Sequence, residues 1–302
     1  MLSRKTCRWI WKATVFIVIV GTLMSQAFAK PVSITEEIRI PNSFFLDWPI
    51  APGEENHRIF ISVPDGDAPK GGFPVVYLMD GNAFFTTAVE MSRQMSSWPK
   101  GPKQAAIIVA IGYPTDDAYD YQRRWYDLTP PTSDAPDAPL KHMNRFKDIR
   151  YGGAESMLQF MTQALRPWLA ERYAIDLNEQ ILFGHSLGGL FTLYALQQRP
   201  EAFSDYAAMS PSLWWNEQYL MTPWVDTVKE KIQGKRVLMV IGAEEKTFML
   251  KDSELANQWF IEQGVQSERL VMEYMNHGTV AIPALSIALR TLLPAEAEQA
   301  NP

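Results

Sequence analysis

Short apolar runs alternate along this chain with stretches in which apolar residues recur every three or four positions, and the alternation spans most of its length. Residues 38–40 and 57–63 alternate with period two and read as antiparallel lead-in strands. Runs at 73–79, 105–111, 180–183, 205–209, 236–241 and 269–274 are mostly apolar and often β-branched, the pattern of strands buried on both faces of a parallel sheet. Helical periodicity falls between them, at about 83–97, 153–172, 187–198, 251–263 and 280–292. The alternation predicts an α/β fold: a central, mostly parallel sheet with antiparallel N-terminal strands, helices on both faces and right-handed crossovers. No internal repeat or Pro/Gly linker divides it, so residues 30–302 are expected to form one domain.

Two segments depart from the rhythm. Residues 113–152 show no convincing strand or helix and contain Pro114, Pro130, Pro131, Pro136 and Pro139. A loop of this length directly after a strand end is expected to form part of an active-site rim. The first 29 residues begin with Arg4, Lys5, Arg8 and Lys12, continue through the apolar run 13–20, and close on Ala27-Phe28-Ala29. That order is the pattern of a cleavable export signal, with an apolar part shorter than the ~20 residues of a membrane span. The mature protein is therefore expected in a bacterial periplasm, or secreted, with no stable membrane insertion.

Composition narrows the function classes. The 302 residues carry 28 Lys+Arg against 34 Asp+Glu, and without the four basic residues of the leader 24 face 34, a net charge of −10. This sign argues against nonspecific nucleic-acid binding. The single cysteine, Cys7, lies in the leader, which leaves the mature chain without thiol, disulfide or Cys-based metal site. No H-E-x-x-H or clustered His/Cys spacing occurs either, so no metal site is expected.

Candidate chemistry begins at Gly184-His185-Ser186-Leu187-Gly188, between the strand pattern 180–183 and the helix pattern that follows. A nucleophile on a sharp strand-to-helix turn needs small residues two positions before and after it, where the backbone packs too closely for a Cβ. An alcohol also needs a general base, usually histidine. The chain has His57, His142, His185 and His277. Where serine occupies such a turn its partners follow in the order acid, then histidine, and only His277 follows Ser186. The acid is expected after the strand at 236–241, among Glu244, Glu245 and Asp252, with Glu245 preferred. A solvated Glu-Glu-Lys turn and a Ser/His dyad without an acid both stay open. The oxyanion donors are expected to be the amides of Leu187 and of Asn82, with Gly81 as the alternative in the Asp80-Gly81-Asn82 turn.

Five segments occur in order: Val76-Tyr77-Leu78-Met79-Asp80-Gly81, Arg124-Trp125-Tyr126-Asp127-Leu128-Thr129-Pro130, Leu165-Arg166-Pro167-Trp168-Leu169, Gly184-His185-Ser186-Leu187-Gly188-Gly189 and Ser210-Pro211-Ser212-Leu213-Trp214-Trp215. Together they resemble the esterase D-type branch of the α/β hydrolases, and within it the exported ferric-siderophore esterases that open the trilactone of enterobactin or salmochelin. The similarity runs from about residue 34 to 292. It implies ester hydrolysis carried by Ser186 and His277, a dyad being sufficient in exported members, and no cofactor. The same branch contains S-formylglutathione hydrolases, feruloyl and acetyl-ester esterases and mycolyl transferases, so an esterase or acyltransferase with another acyl substrate is the alternative, beside a non-catalytic periplasmic siderophore-binding protein.

A ferric tris-catecholate is an anion with aromatic faces, and cations and aromatic walls would favour it. Arg123, Arg124, Lys141, His142, Arg145, Lys147 and Arg150 lie in or beside the long loop. Arg124 is the expected substrate contact from this group, with Trp214 and Trp215 as aromatic walls and Trp125 and Tyr126 as further candidates.

Overall fold

The structure is a computed structural model, and the residues it describes are 39–49, 55–97, 103–131, 149–221 and 226–295. The segment expected to be a leader and the central part of the proline-rich loop, including Lys141, His142, Arg145 and Lys147, lie outside them. Eight strands form one sheet: β1 (Ser43–Trp48), β2 (His57–Ser62), β3 (Phe73–Met79), β4 (Ile107–Gly112), β5 (Ile175–His185), β6 (Asp205–Met209), β7 (Arg236–Gly242) and β8 (Gln266–Met272). Their order is β1-β2-β4-β3-β5-β6-β7-β8. The β1–β2 and β2–β4 pairs are antiparallel and the rest are parallel, as the sequence pattern predicts.

Residues alternate between two cores because successive side chains on a strand point to opposite faces. Val75, Tyr77, Met79, Ile107 and Val109 enter one core. Val76, Leu78, Ile108 and Ala110 enter the other. Helix α1 (Gly81–Ser97) covers the second face with α8 (Ala281–Leu292). The first face carries α3 (Ala154–Phe160), α4 (Arg166–Ala170), α5 (Leu187–Gln198), α6 (Asp226–Ile232) and part of α7 (Thr247–Glu262). Every residue of α5 from Leu187 to Leu196 is buried, so the helix behind Ser186 is apolar all round and fixed on every side.

Several elements differ from the sequence expectation; among them β8, expected at 269–274 and buried on both faces, is an edge strand whose residues are exposed or partly buried. Residues 39–40 are not strand; the N-terminal edge strand is β1, whose residues are all either partly buried or exposed. The helix expected at 153–172 is interrupted by a π-helical turn at Met161–Leu165 between α3 and α4. The long loop contains the helix α2 (Tyr121–Asp127), capped by Asp120, whose carboxylate accepts from the amides of Gln122 and Arg123. Finally, β5 begins five residues earlier than the apolar run, through the polar stretch at 176–180.

Candidate active site

The end of β5 turns directly into α5 at Ser186, with φ 59° and ψ −114°. A left-handed non-glycine residue costs about 1–3 kcal/mol and needs surroundings that over-determine it. Here the Ser186 amide donates to the Met209 carbonyl (3.0 Å), and the Ser186 carbonyl accepts from the amides of Leu190 (3.0 Å) and Ser212 (3.1 Å). Glycine is required beside it: a Cβ on Gly184 would lie 2.1 Å from the Gly188 carbonyl oxygen. The turn thus lifts the Ser186 side chain to the carboxyl edge of the sheet.

Two strands away, β7 ends at Gly242, where a Cβ would lie 2.2 Å from the Met275 carbonyl oxygen. That close approach draws the loop after β8 against the end of β7. Ala243 and Glu244 donate their amides to the carbonyls of Met272 and Met275, both at 2.9 Å. The Asn276 side chain then accepts from the amides of Gly278 (3.0 Å) and Thr279 (3.2 Å), fixing the turn that carries His277.

These backbones bring three side chains into line. Glu245 Oε2 accepts from His277 Nδ1 at 2.8 Å, and His277 Nε2 lies 2.9 Å from Ser186 Oγ. A carboxylate only accepts, so Nδ1 carries the proton and Nε2 presents its lone pair to the Ser186 hydroxyl. Among Glu244, Glu245 and Asp252, it is Glu245 whose carboxylate meets His277. Its side chain is fully buried while that of His277 is 40% exposed, so the base faces the substrate side and the acid does not. Asp252 is occupied elsewhere, accepting from Gln218 Nε2 at 2.9 Å.

Two further side chains, not expected from the sequence, touch this line. His185 is buried, and its Nε2–H donates to the His277 carbonyl at 2.9 Å. Burial, then the neighbouring His277 and Arg124, push its pKa down to about 3, so it stays neutral and adds no charge beside the base. Ser212 Oγ lies 3.3 Å from Ser186 Oγ. The sequence signal for Ser212 is the Ser-Pro-Ser-Leu-Trp-Trp segment, one of the five that carry the family resemblance.

Leu187 and Asn82 occupy the first turns of α5 and α1, where helix amides have no carbonyl of their own helix to bond and carry the positive end of the dipole. Both helices start at the same sheet edge, after the neighbouring strands β5 and β3. The Asn82 side chain fixes its own backbone: Nδ2 donates to the carbonyls of Tyr113 (3.0 Å) and Thr115 (2.8 Å), and Oδ1 accepts from the Tyr113 amide (2.9 Å).

Of the expected substrate contacts, Arg124 and Trp215 are corrected by burial. Arg124 is held in a fork on Asp80, with Nε to Oδ1 at 2.8 Å and Nη2 to Oδ2 at 2.9 Å, and both residues are buried. Burial opposes its charge, but Asp80 outweighs that and raises the guanidinium pKa. Breaking such a pair by removing one partner typically costs about 3–5 kcal/mol, so Arg124 ties α2 to the end of β3 beside Gly81 and Asn82. Trp215 is 0% exposed and belongs to the core, as does most of Trp125; Trp214 is partly buried against the same core. Arg123 donates to the carbonyls of Asn56 (2.7 Å) and Glu55 (3.0 Å), and Arg150 lies over the Tyr126 ring, 4.1 Å from its centroid.

Comparison with known proteins gives the family. A family model described as putative esterase matches residues 52–281. The ferri-bacillibactin esterase of Bacillus subtilis strain 168 is 33% identical over 249 residues, covering 78% of this chain and 84% of its own. The siderophore triacetylfusarinine C esterase of Aspergillus fumigatus is 38% identical over 216 residues, 67% of this chain and 68% of that one. The solved structure of the BES protein from Bacillus cereus superposes with a TM-score of 0.76 at 27% identity, over 88% of this chain and 100% of that one. The chain belongs to the putative esterase family, as a carboxylic ester hydrolase with the α/β-hydrolase fold.

Proposed function

We propose that this protein is an exported serine esterase that hydrolyses the ester bonds of a siderophore, foremost the trilactone of a ferric catecholate such as enterobactin or salmochelin. The observation that carries the chemistry is the continuous relay from Glu245 through His277 to Ser186 at the carboxyl edge of the sheet. The two curated relatives support the substrate class, since each is named for a siderophore ester. Export rests on the basic, apolar and Ala-x-Ala order of the first 29 residues.

In this reading Ser186 Oγ attacks the ester carbonyl as its proton passes to His277 Nε2. The imidazolium is balanced by Glu245. The amides of Leu187 and Asn82 hold the oxyanion, and each such donor is worth about 2.7–4 kcal/mol. His277 returns the proton to the departing alkoxide. Water, deprotonated by the same nitrogen, then releases the acid and restores the serine. Opening a cyclic ester removes the ring preorganisation that favours iron binding, which would ease release of the metal. Arg124 serves this site through Asp80, by fixing the strand end that leads into the Asn82 turn.

Mass spectrometry of protein recovered from the periplasmic fraction and incubated with ferric enterobactin tests the reading. The chain itself is expected to begin at Lys30, and the siderophore to gain one water as the linear trimer. Intact enterobactin together with turnover of p-nitrophenyl butyrate would replace the substrate by another acyl ester, and transfer to an added alcohol in preference to water would make the enzyme an acyltransferase. Ligand retained intact, with no turnover of either ester, would leave a binding protein.

A further inference from the structure

Three neighbouring strands, β3, β5 and β6, end at this site on residues with left-handed backbone, and none of the three is glycine: Asp80 (φ 56°), Ser186 (φ 59°) and Ser210 (φ 42°). Strain of this kind clusters where a side chain must be held in a set direction. Ser186 offers the candidate nucleophile and Asp80 grips Arg124. Ser210 is the strained strand end to which the mechanism gives no part.

Its surroundings supply one. Ser210 is fully buried, and its amide is seated on the Val240 carbonyl of β7 at 2.8 Å. The hydroxyl donates to Glu245 Oε1 at 2.5 Å, within the range of a charge-assisted O–H···O⁻ bond. Glu245 thus has one oxygen on Ser210 and the other on His277. A carboxylate held at a single oxygen can rotate about its last torsion, whose preference is broad; held at both, it cannot.

We propose that Ser210 is a positioning residue of the relay, which fixes the Glu245 carboxylate so that Oε2 stays on His277 and which holds its charge in a site closed to water. The inference rests on the serine-esterase reading above. It also sets a direction for pH. The catalytic form of the pair is neutral imidazole plus carboxylate, which is net negative, and the Ser210 dipole stabilises that form over the protonated one. Without the hydroxyl the pair takes up a proton more readily, and the neutral base is lost at a higher pH. The other charged or titratable groups around the pair are His185 from β5, the Asp80–Arg124 ion pair, and Glu244 and Lys246 in the Glu245 turn. All of them are the same in wild type and variant, so they cancel in the comparison.

The test is the pH profile of kcat/KM for p-nitrophenyl butyrate with Ser210→Ala and Ser210→Gly, each also made in a Glu245→Ala background. Glycine accepts the positive φ without strain, so the second variant separates loss of the hydroxyl from loss of the fold. Both variants are expected to lose about tenfold, inside the coupling range of neighbours in one hydrogen-bonded network, and to move the acid limb to higher pH. With Glu245 already replaced by Ala, removing the hydroxyl is expected to cost less than about twofold, because the group it acts through is gone. Wild-type rates in both variants, an unmoved acid limb, or an equal loss in the Glu245→Ala background would overturn the inference while leaving the esterase reading intact. Absence of any ester turnover by the wild type would remove both.

Discussion

Ser186→Ala is expected to lower turnover of p-nitrophenyl butyrate by about 10⁶-fold, the loss found when one member of such a unit is removed, with little change in melting temperature. The size follows from what the hydroxyl does: it is the atom that bonds to the carbonyl carbon, and no neighbour can replace it. Ser212 Oγ lies 3.3 Å away, but it has no comparable contact with His277 among the described residues. Residual activity should come from the oxyanion amides and from binding, which survive removal of the nucleophile. Stability should be nearly unchanged because the backbone bonds that hold the turn are made by the amide and carbonyl of residue 186, not by its side chain. Ser186→Gly should be equally inactive and should melt higher, since glycine relieves the positive φ. Paired rate and calorimetric measurements check both halves. An active Ser186→Ala protein would dismiss the mechanism, and an inactive but unfolded one would say nothing of chemistry, which is why the glycine variant is the better control.

Glu245→Ala is expected to cost about 10⁴-fold, similar to loss of the acid in other triads. The carboxylate is buried and faces two donors, His277 Nδ1–H and the Ser210 hydroxyl. Its removal leaves the imidazole free to take the wrong tautomer and leaves the imidazolium without a counter-charge in the step where Ser186 loses its proton. The measurement also decides between triad and dyad, which the sequence left open. A loss below about tenfold would mean that Ser186 and His277 suffice and that Glu245 only packs the turn. A loss near 10⁴ with KM little changed would place the acid in the chemical step.

Much of this arrangement was legible because the strongest signals come from the most buried elements. The runs at 73–79 and 205–209 coincide with β3 and β6, and each of the five helical patterns has a helix on it. The placement of His277 beside Ser186 followed from chain order and from both residues lying just past parallel strands. Short, charged pieces were not legible. Helix α2 has no apolar periodicity; it is held by Asp120 at its cap, by Arg124 on Asp80, and by Asp127, whose Oδ2 lies 3.3 Å from His57 Nε2. The last two are tertiary contacts to residues more than forty positions away, which no local pattern reveals. The same feature bears on Arg124, which the sequence offered as a contact for an anionic ligand; most of the loop's other basic residues lie outside the described ones. Arg124 has its charge satisfied internally, and Trp215 follows a strand end yet turns into the core. The sequence already favoured Glu245 over Glu244, as a residue placed to project over the sheet edge, but its contact with His277 depends on the direction of a turn and the Ser210 contact on the register of β6 against β7.

The account depends on Ser186 being made nucleophilic by His277, and labelling with an organophosphate tests that most directly. Peptide mass mapping after reaction with diisopropyl fluorophosphate should place one adduct on the peptide containing Ser186, and His277→Ala should slow its formation by orders of magnitude. An adduct on another residue, or an equal labelling rate without His277, would contradict it.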